Sequence, residues 1–95
     1  MSNQLKLAII QTHLIWEDPK ANRKHFKAKI EGIKQPIDLI VLPEMFTTGF
    51  TMNAKAVAES MEGKSVLWMK KRAAETGSAV TGSLIIEENN QYYNR

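Results

Sequence analysis

The sequence contains no cysteine, only three prolines, and few aromatic residues, which make up 7% of its 95 positions. Without cysteine the chain has no disulfide framework, so cysteine usage indicates neither an oxidising nor a reducing compartment. The two histidines, His13 and His25, have no fixed relation to each other, and no group of metal ligands at short spacing accompanies them. We therefore predict no metal site.

Long hydrophobic runs and glycine-rich loops are also missing. The apolar stretch from Leu7 to Ile10 is too short for the core of a signal peptide and far too short to span a membrane. The glycines are isolated from one another and form neither of the usual nucleotide-binding fingerprints. The sequence thus predicts a cytoplasmic protein that has no membrane partner and needs no cofactor.

What the sequence does contain is the composition of an ordinary globular domain. Apolar residues make up 43% and charged residues 24%, which excludes disordered and collagen-like classes. The net charge of +3 comes from 13 Lys and Arg against 10 Asp and Glu, and the basic residues cluster at 20–34 and 64–72. Such clusters are typical of the solvated faces of amphipathic helices, so nucleic acid is not a predicted partner.

The first half of the chain has the pattern strand, helix, strand. A strand is predicted over Leu5–Gln11, and a helix begins where Asp18 can cap the free amides and Pro19 occupies the first helical position. Asn22 lies on the apolar face of that helix, where we expect its side chain to tie the helix to a loop. A second strand follows over Ile37–Leu42, and such a unit is almost always a right-handed parallel crossover.

The second half of the chain continues the alternation of strands and helices. Residues 51–61 are predicted to be a loop or irregular segment, and a second helix runs over Lys64–Thr76 with Gly77 as its left-handed C-terminal cap. A third strand is predicted over Ser78–Ile86. Asn89-Asn90 is a turn pair, after which the chain begins an antiparallel partner strand.

The strongest candidate for chemistry is Glu44. The apolar run 38–42 suits a strand buried on both faces, and ligands of open α/β sheets bind beyond the carboxyl ends of such strands. Partial desolvation there would favour the neutral form of the carboxyl group, so Glu44 could serve as a general base. The alternative is that Glu44 pairs with a basic residue or caps a nearby turn.

The segment after Glu44 offers the walls of a small pocket. Residues 45–50 supply apolar and aromatic side chains, two hydroxyl groups and a glycine. Phe46 and Phe50 are the candidate substrate-pocket residues. Ordinary packing under the loop is the alternative role for each of them.

Three groups of residues give the sequence a family resemblance, and together they cover essentially the whole chain. The segment Leu42–Phe50 resembles the nitrilase superfamily of carbon–nitrogen hydrolases and, within it, the omega-amidase branch. Similarity to the first strand and helix, and to the later strands, is carried by Ala8–Gln11, Trp16–Asp18, Asn22, Thr81–Leu84 and Tyr92–Arg95.

The resemblance implies an α/β fold that is the N-terminal part of a nitrilase-type α-β-β-α sandwich. Its order is strand-helix-strand-helix-strand, then the start of a further strand, and the four-layer sandwich forms when two chains pack into a homo-oligomer. The resemblance also implies a Glu, Lys, Cys catalytic set in which Glu44 matches the general base. The lysine and cysteine would lie beyond Arg95, since Lys64, Lys70 and Lys71 match no catalytic position.

The function implied is hydrolysis of the omega-amide of a small 2-oxo acid, such as 2-oxoglutaramate, to carboxylate and ammonia through a Cys thioester. Residues 1–95 would then be an incomplete carbon–nitrogen hydrolase domain that is inactive alone. The principal alternative is a truncated, non-catalytic nitrilase-like fragment that acts as an association module. A third possibility, the glutamine-hydrolysing domain of a larger amidotransferase or an acyl-transferring relative, is disfavoured by the omega-amidase-like residues 45–50.

Overall fold

A computed structural model of the chain describes residues 5–95, so residues 1–4 of the predicted domain lie outside the described part. The described residues form two small sheets and three helices. In chain order the elements are β1 (Leu7–Ile9), α1 (Pro19–Glu31), β2 (Leu39–Val41), α2 (Ala54–Val57), α3 (Lys64–Thr76), β3 (Ala79–Thr81), β4 (Ile85–Glu88) and β5 (Gln91–Asn94).

The first sheet has the strand order β1-β2-β3, and all of its strands are parallel. The predicted parallel crossover from β1 to β2 is confirmed. Ile40, at the centre of β2, is only 1% exposed. Side chains alternate between faces along a strand, so the neighbours of Ile40 lie on the other face.

That other face of the sheet is not covered within residues 5–95. Leu7 is 49% exposed and Ile9 is 64% exposed, while their partners Leu39 and Val41 on β2 are half-buried. The prediction that β2 is buried on both faces is therefore wrong for the described residues, because the helix layer packs on one face alone. We call the exposed side, formed by Leu7, Ile9, Leu39 and Val41, the open sheet face.

The start of α1 and the end of α3 lie where local capping signals predict. The Asp18 carboxylate accepts a hydrogen bond from the Ala21 amide at 3.1 Å, and Pro19 is the first residue of α1. Helix α3 ends at Gly77, whose φ of 70° is left-handed and whose amide bonds to Ala73 O at 3.0 Å. The predicted loop at 51–61 contains one short helix, α2.

The predicted third strand is two strands. Leu42 N still bonds to Thr81 O at 2.8 Å, but after Thr81 the chain leaves the parallel sheet and β4 begins at Ile85. Leu84 exchanges two backbone hydrogen bonds with Arg95, at 2.7 and 2.8 Å, and so joins the second sheet. The apolar residues of the two strands are separated in sequence only by Thr81, Gly82 and Ser83, and the prediction ran one strand through this short polar interruption.

The second sheet is the antiparallel hairpin β4–β5, whose predicted turn is confirmed. Asn89 and Asn90 have φ values of 54° and 63°, and two positive values in a two-residue loop are typical of a type I′ turn. The turn sets the pairing of the strands, which runs from Glu88 opposite Gln91 to Ile85 opposite Asn94.

The core lies between the first sheet and the helices α1 and α3. Phe26 and Phe46 are fully buried, and their rings meet edge to face with centroids 5.6 Å apart. The Trp68 ring of α3 packs on Phe46 at the same separation of 5.6 Å. Ile40 and Ile86 complete the fully buried apolar residues, so both sheets contribute to one core.

A buried polar network joins the two long helices to the segment before α3. The Ser65 hydroxyl donates to Glu59 Oε2 at 2.6 Å and accepts from Arg23 Nη1 at 2.8 Å, while Ser65 N donates to Glu59 Oε1 at 2.8 Å. Glu59 also exchanges backbone hydrogen bonds with β4.

Among the helices of residues 5–95, none has both the length and the apolar content needed to cross a membrane.

Candidate active site

Glu44 lies three residues beyond the end of β2, in the turn that carries the chain away from the sheet. This is the carboxyl end of the central parallel strand, where open α/β sheets bind their ligands. The Glu44 side chain is exposed in the described residues. The expected desolvation is therefore not observed, because the part of the fold present here leaves this edge open to solvent.

The backbone of the turn closes on itself through Met45. Met45 has a left-handed φ of 49°, which is uncommon for a residue with a side chain. Its carbonyl oxygen accepts hydrogen bonds from Thr48 N at 3.2 Å and from Gly49 N at 2.8 Å. Gly49 has a φ of 71°, a conformation that glycine adopts without steric cost.

One side of the turn is fixed by the connection between β3 and β4. The Ser83 hydroxyl accepts a hydrogen bond from Met45 N at 2.9 Å, and Ser83 O accepts one from Phe46 N at 3.3 Å. Gly82 approaches so closely that a Cβ there would stand 3.0 Å from the Leu42 Cβ. The residues on either side of Glu44 are thus held against a second segment of the chain.

The other side of the turn is fixed by Asn22, which has no exposed surface. Its Nδ2 donates to Thr47 O and to Ile15 O, both at 2.6 Å, and its Oδ1 accepts from Ile15 N at 2.8 Å. This confirms the predicted tie between helix and loop. Asn22 joins α1, the loop after β1 and the Glu44 turn through one side chain.

The partner of the Glu44 carboxylate is Asn94, on β5. Asn94 Nδ2 donates a hydrogen bond to Glu44 Oε1 at 2.5 Å. The alternative of a basic partner finds no support, since the ion pairs of the described residues involve other carboxylates. Sequence reasoning did not single out Asn94. The Asn89-Asn90 turn was the available signal, because a two-residue loop fixes the pairing of Ile85 with Asn94.

The two candidate pocket residues lie in different surroundings. Phe46 is fully buried, between the rings of Phe26 and Trp68. Phe50 is 77% exposed, and its carbonyl oxygen accepts a hydrogen bond from Trp16 Nε1 at 3.3 Å. The structure does not bring the two rings together, and their assignment to a substrate pocket stays a prediction.

A small hollow of about 130 Å³ is lined by residues next to Glu44, although Glu44 itself is not among them. Met45, the next residue in the chain, and Asn94, the partner of the carboxylate, both contribute to its wall. Its remaining lining residues are Thr51, Ala54, Ile85, Tyr92 and Tyr93. Phe50 instead borders a separate open hollow with Trp16.

The histidines take no part in this arrangement. His25 is half-buried, and its Nε2 pairs with Thr12 Oγ1 at 3.0 Å. His13 is exposed. Across residues 5–95, no group of three or more His, Cys, Asp or Glu side chains is placed to hold a metal ion.

Comparison with known proteins gives this geometry a context. The family model described as Carbon-nitrogen hydrolase matches residues 6–95. The chain belongs to the carbon–nitrogen hydrolase family. Glu44, its turn and all of the segments that hold the turn lie within the matched range.

Curated relatives in this family include omega-amidases. The chain is 38% identical over 91 residues to Omega-amidase YafV of Escherichia coli strain K12, covering 96% of this chain and 35% of that protein. It is 41% identical over 91 residues to Omega-amidase YafV of Yersinia enterocolitica, with the same coverage of 96% and 35%. It is 30% identical over 90 residues to 2-oxoglutaramate amidase of Bacillus subtilis, covering 93% and 35%. The chain thus spans about a third of the length of these relatives.

A solved structure of the family has the same fold. The carbon–nitrogen hydrolase superfamily protein XC1258 from Xanthomonas campestris, which carries an arsenic adduct in its active site, matches with a TM-score of 0.89 and 37% identity. The match covers 95% of this chain and 34% of that protein. The predicted family and the predicted nitrilase-type α/β fold are both confirmed.

Proposed function

We propose that this chain is the N-terminal part of an omega-amidase-type carbon–nitrogen hydrolase and supplies its general base, Glu44. The reaction is hydrolysis of the amide of a small 2-oxo acid amide, such as 2-oxoglutaramate, to carboxylate and ammonia. Relatives named omega-amidase and 2-oxoglutaramate amidase support this substrate class. On this proposal, residues 1–95 are an incomplete hydrolase domain.

In the proposed mechanism the Glu44 carboxylate accepts and then donates a proton in each half of the reaction. The carboxylate takes the proton of the cysteine thiol as sulfur attacks the amide carbon, then gives that proton to the departing amine, so that ammonia leaves and a thioester remains. It next takes a proton from water, which attacks the thioester, and returns it to the thiolate as the carboxylic product forms. A lysine stabilises the oxyanion of each tetrahedral intermediate. Both cysteine and lysine would come from residues beyond Arg95, and no cofactor is required.

The observation that carries the proposal is how firmly the backbone around Glu44 is held. Ser83 accepts hydrogen bonds from the amides of Met45 and Phe46, and Asn22 donates one to Thr47 O. A general base must be held within hydrogen-bond reach of the proton that it moves. The restraint on the turn supports the assignment of Glu44 as that base, at the edge of the sheet where open α/β sheets bind their ligands.

The proposal includes the setting in which the reaction takes place. A small-molecule amide is the substrate, and the complete protein is a homo-oligomer, with a dimer as its smallest form. We place it in the cytoplasm. The relatives support the amide substrate by their names.

The test is Glu44→Gln in the full-length protein, with ammonia release from 2-oxoglutaramate as the assay. The amide is isosteric with the carboxyl group but cannot accept the proton, so turnover should fall by about 10²-fold or more. Glu62→Gln is the matched control, since Glu62 is an exposed carboxylate in another turn, and its activity should be unchanged. Ammonia release by Glu44→Gln within threefold of the unmutated protein would remove the role of Glu44.

The 95-residue chain gives a complementary test. It contains no cysteine, so it cannot form the thioester and should release no ammonia from 2-oxoglutaramate above the rate in buffer. The measurement is an ammonia assay with the chain at a concentration far above that used for the full-length protein. Steady ammonia release, retained on repurification, would contradict the proposed covalent mechanism.

A second candidate, a non-catalytic association module, is favoured by the open sheet face. Leu7 and Ile9 lie on the same face of β1, and both leave apolar surface exposed. Contiguous apolar patches of this kind mark surfaces that pack against another protein or another part of the fold. Sedimentation velocity of the 95-residue chain and of its Ile9→Lys variant distinguishes the candidates, because only a module that associates through this face loses its oligomer in the variant.

A further inference from the structure

We infer that Asn94 is a positioning residue for Glu44, orienting the carboxylate for proton transfer. The inference rests on the proposed function, since it gives Asn94 a task only if Glu44 moves a proton. Nothing in the family comparison assigns Asn94 a role. The contact that carries the inference joins two residues that are 50 positions apart in sequence.

The contact has the geometry that a proton-transfer group needs. Asn94 Nδ2 donates to Glu44 Oε1 at 2.5 Å, so one carboxylate oxygen is engaged. On this inference, Oε2 is the oxygen that takes and gives the proton. A single donor on one oxygen restrains rotation of the carboxylate about its terminal bond. A proton acceptor held in one orientation is closer to its reactive geometry than one that rotates freely.

The chemical nature of the partner also suits the task. An amide N–H has no charge and does not titrate in the working range of the enzyme, so it cannot take the proton that Glu44 must accept. A lysine or arginine at the same place would hold the carboxylate as an ion pair and disfavour its protonation. Asn94 can therefore orient the base without competing for its proton.

One segment, residues 83–85, contacts both the turn that carries Glu44 and the strand that carries Asn94. Ser83 binds Met45 N, which fixes the residue after Glu44. The next residue, Leu84, exchanges two backbone hydrogen bonds with Arg95, and Ile85 pairs with Asn94. Residues 83–85 thus position both the backbone of the base and the strand that delivers its amide partner.

The experiment is a mutational cycle in the full-length protein, with steady-state ammonia release from 2-oxoglutaramate as the readout. Asn94→Ala removes the donor, and Asn94→Asp keeps the shape but places a second acceptor against the carboxylate. We expect kcat to fall by about 10-fold to 100-fold in Asn94→Ala, and further in Asn94→Asp, with KM within about twofold, since orientation affects the proton-transfer step. Gln91→Ala, on the same strand, is the control and should leave kcat unchanged.

The cycle with Glu44→Gln separates this inference from the proposed function. If Asn94 acts through Glu44, Asn94→Ala in the Glu44→Gln background should lower kcat by less than about twofold. The positioning role would be overturned if Asn94→Ala lowered kcat as much in the Glu44→Gln background as in the unmutated protein. It would also be overturned if the Asn94 variants changed only KM, or if both of them kept the kcat of the unmutated protein. Normal turnover of Glu44→Gln would instead refute the proposed function itself. Circular dichroism of each Asn94 variant shows whether the hairpin is intact.

Discussion

Gly82 packs against Phe46 at a distance that leaves no room for a side chain between them. A Cβ at position 82 would stand 3.1 Å from Phe46 Cδ1 and 3.0 Å from the Leu42 Cβ. The connection between β3 and β4 therefore lies directly on the turn that carries Glu44. The position of the carboxylate depends on this close approach.

Gly82→Ala should destabilise the chain by about 1–3 kcal/mol, because the added methyl group must displace buried atoms of Leu42 and Phe46. Urea unfolding followed by Trp fluorescence measures the change. Gly32→Ala is the matched control, since a Cβ there meets its nearest atom at an ordinary 3.4 Å. Equal unfolding midpoints for Gly82→Ala and the unmutated chain would show that the contact is not restrictive.

Asn22→Leu should cost about 3 kcal/mol of stability. The apolar side chain is similar in size, but it leaves Ile15 N, Ile15 O and Thr47 O without the hydrogen bonds that Asn22 gives them. Thermal unfolding reports the loss. Asn53→Leu changes an exposed asparagine and should lower stability by less than about 1 kcal/mol. Similar losses in the two variants would contradict the role of Asn22 as a buried tie.

The hairpin turn predicts opposite effects for two substitutions at one position. Asn90 has a φ of 63°, so Asn90→Gly relieves strain and completes the favoured Asn-Gly pair, which should raise stability by about 0.5 kcal/mol. Asn90→Val places a β-branched residue in the same conformation and should cost about 1–2 kcal/mol. Differential scanning calorimetry of both variants checks the sign of each change, and a common sign would exclude a type I′ turn.

Ser65→Ala should destabilise the packing of α1 on α3 by about 1–3 kcal/mol. The Ser65 hydroxyl is fully buried and is bonded to both Arg23 and Glu59, so its removal leaves a partly buried charge pair with fewer partners. Ser60→Ala removes an exposed hydroxyl close by and is the control. The comparison uses chemical denaturation at low and high salt, and equal stability of the two variants would show that the network contributes little.

Local signals in the sequence were sufficient for the start of α1 and the end of α3, whereas the short helix α2 was predicted as loop. Asp18 with Pro19 marks the start of α1, and Gly77 marks the end of α3, because capping depends on residues within one turn of the helix. The turn at Asn89-Asn90 was identified for the same reason. The end of β2, and with it the place of Glu44, followed from the boundary of one apolar run.

Features that depend on distant residues were not predicted. The break between β3 and β4 lies at Gly82, where the chain turns because Leu42 and Phe46 approach it from another part of the sequence. The contact of Asn94 with Glu44 spans 50 positions and requires the pairing of two strands to be known. Burial of Phe46 under Trp68 likewise depends on where α3 packs.

The length of the Asn89-Asn90 loop affects the contact between Asn94 and Glu44, although the loop itself lies at the other end of the hairpin. Side chains alternate along β5, so a change in the loop that shifts the pairing of the strands by one residue would turn Asn94 to the opposite face of the hairpin. Surface turns ordinarily tolerate insertions and deletions. Here a register shift of one residue, caused in an exposed turn, would disconnect the carboxylate from its amide partner without altering any residue that touches either of them.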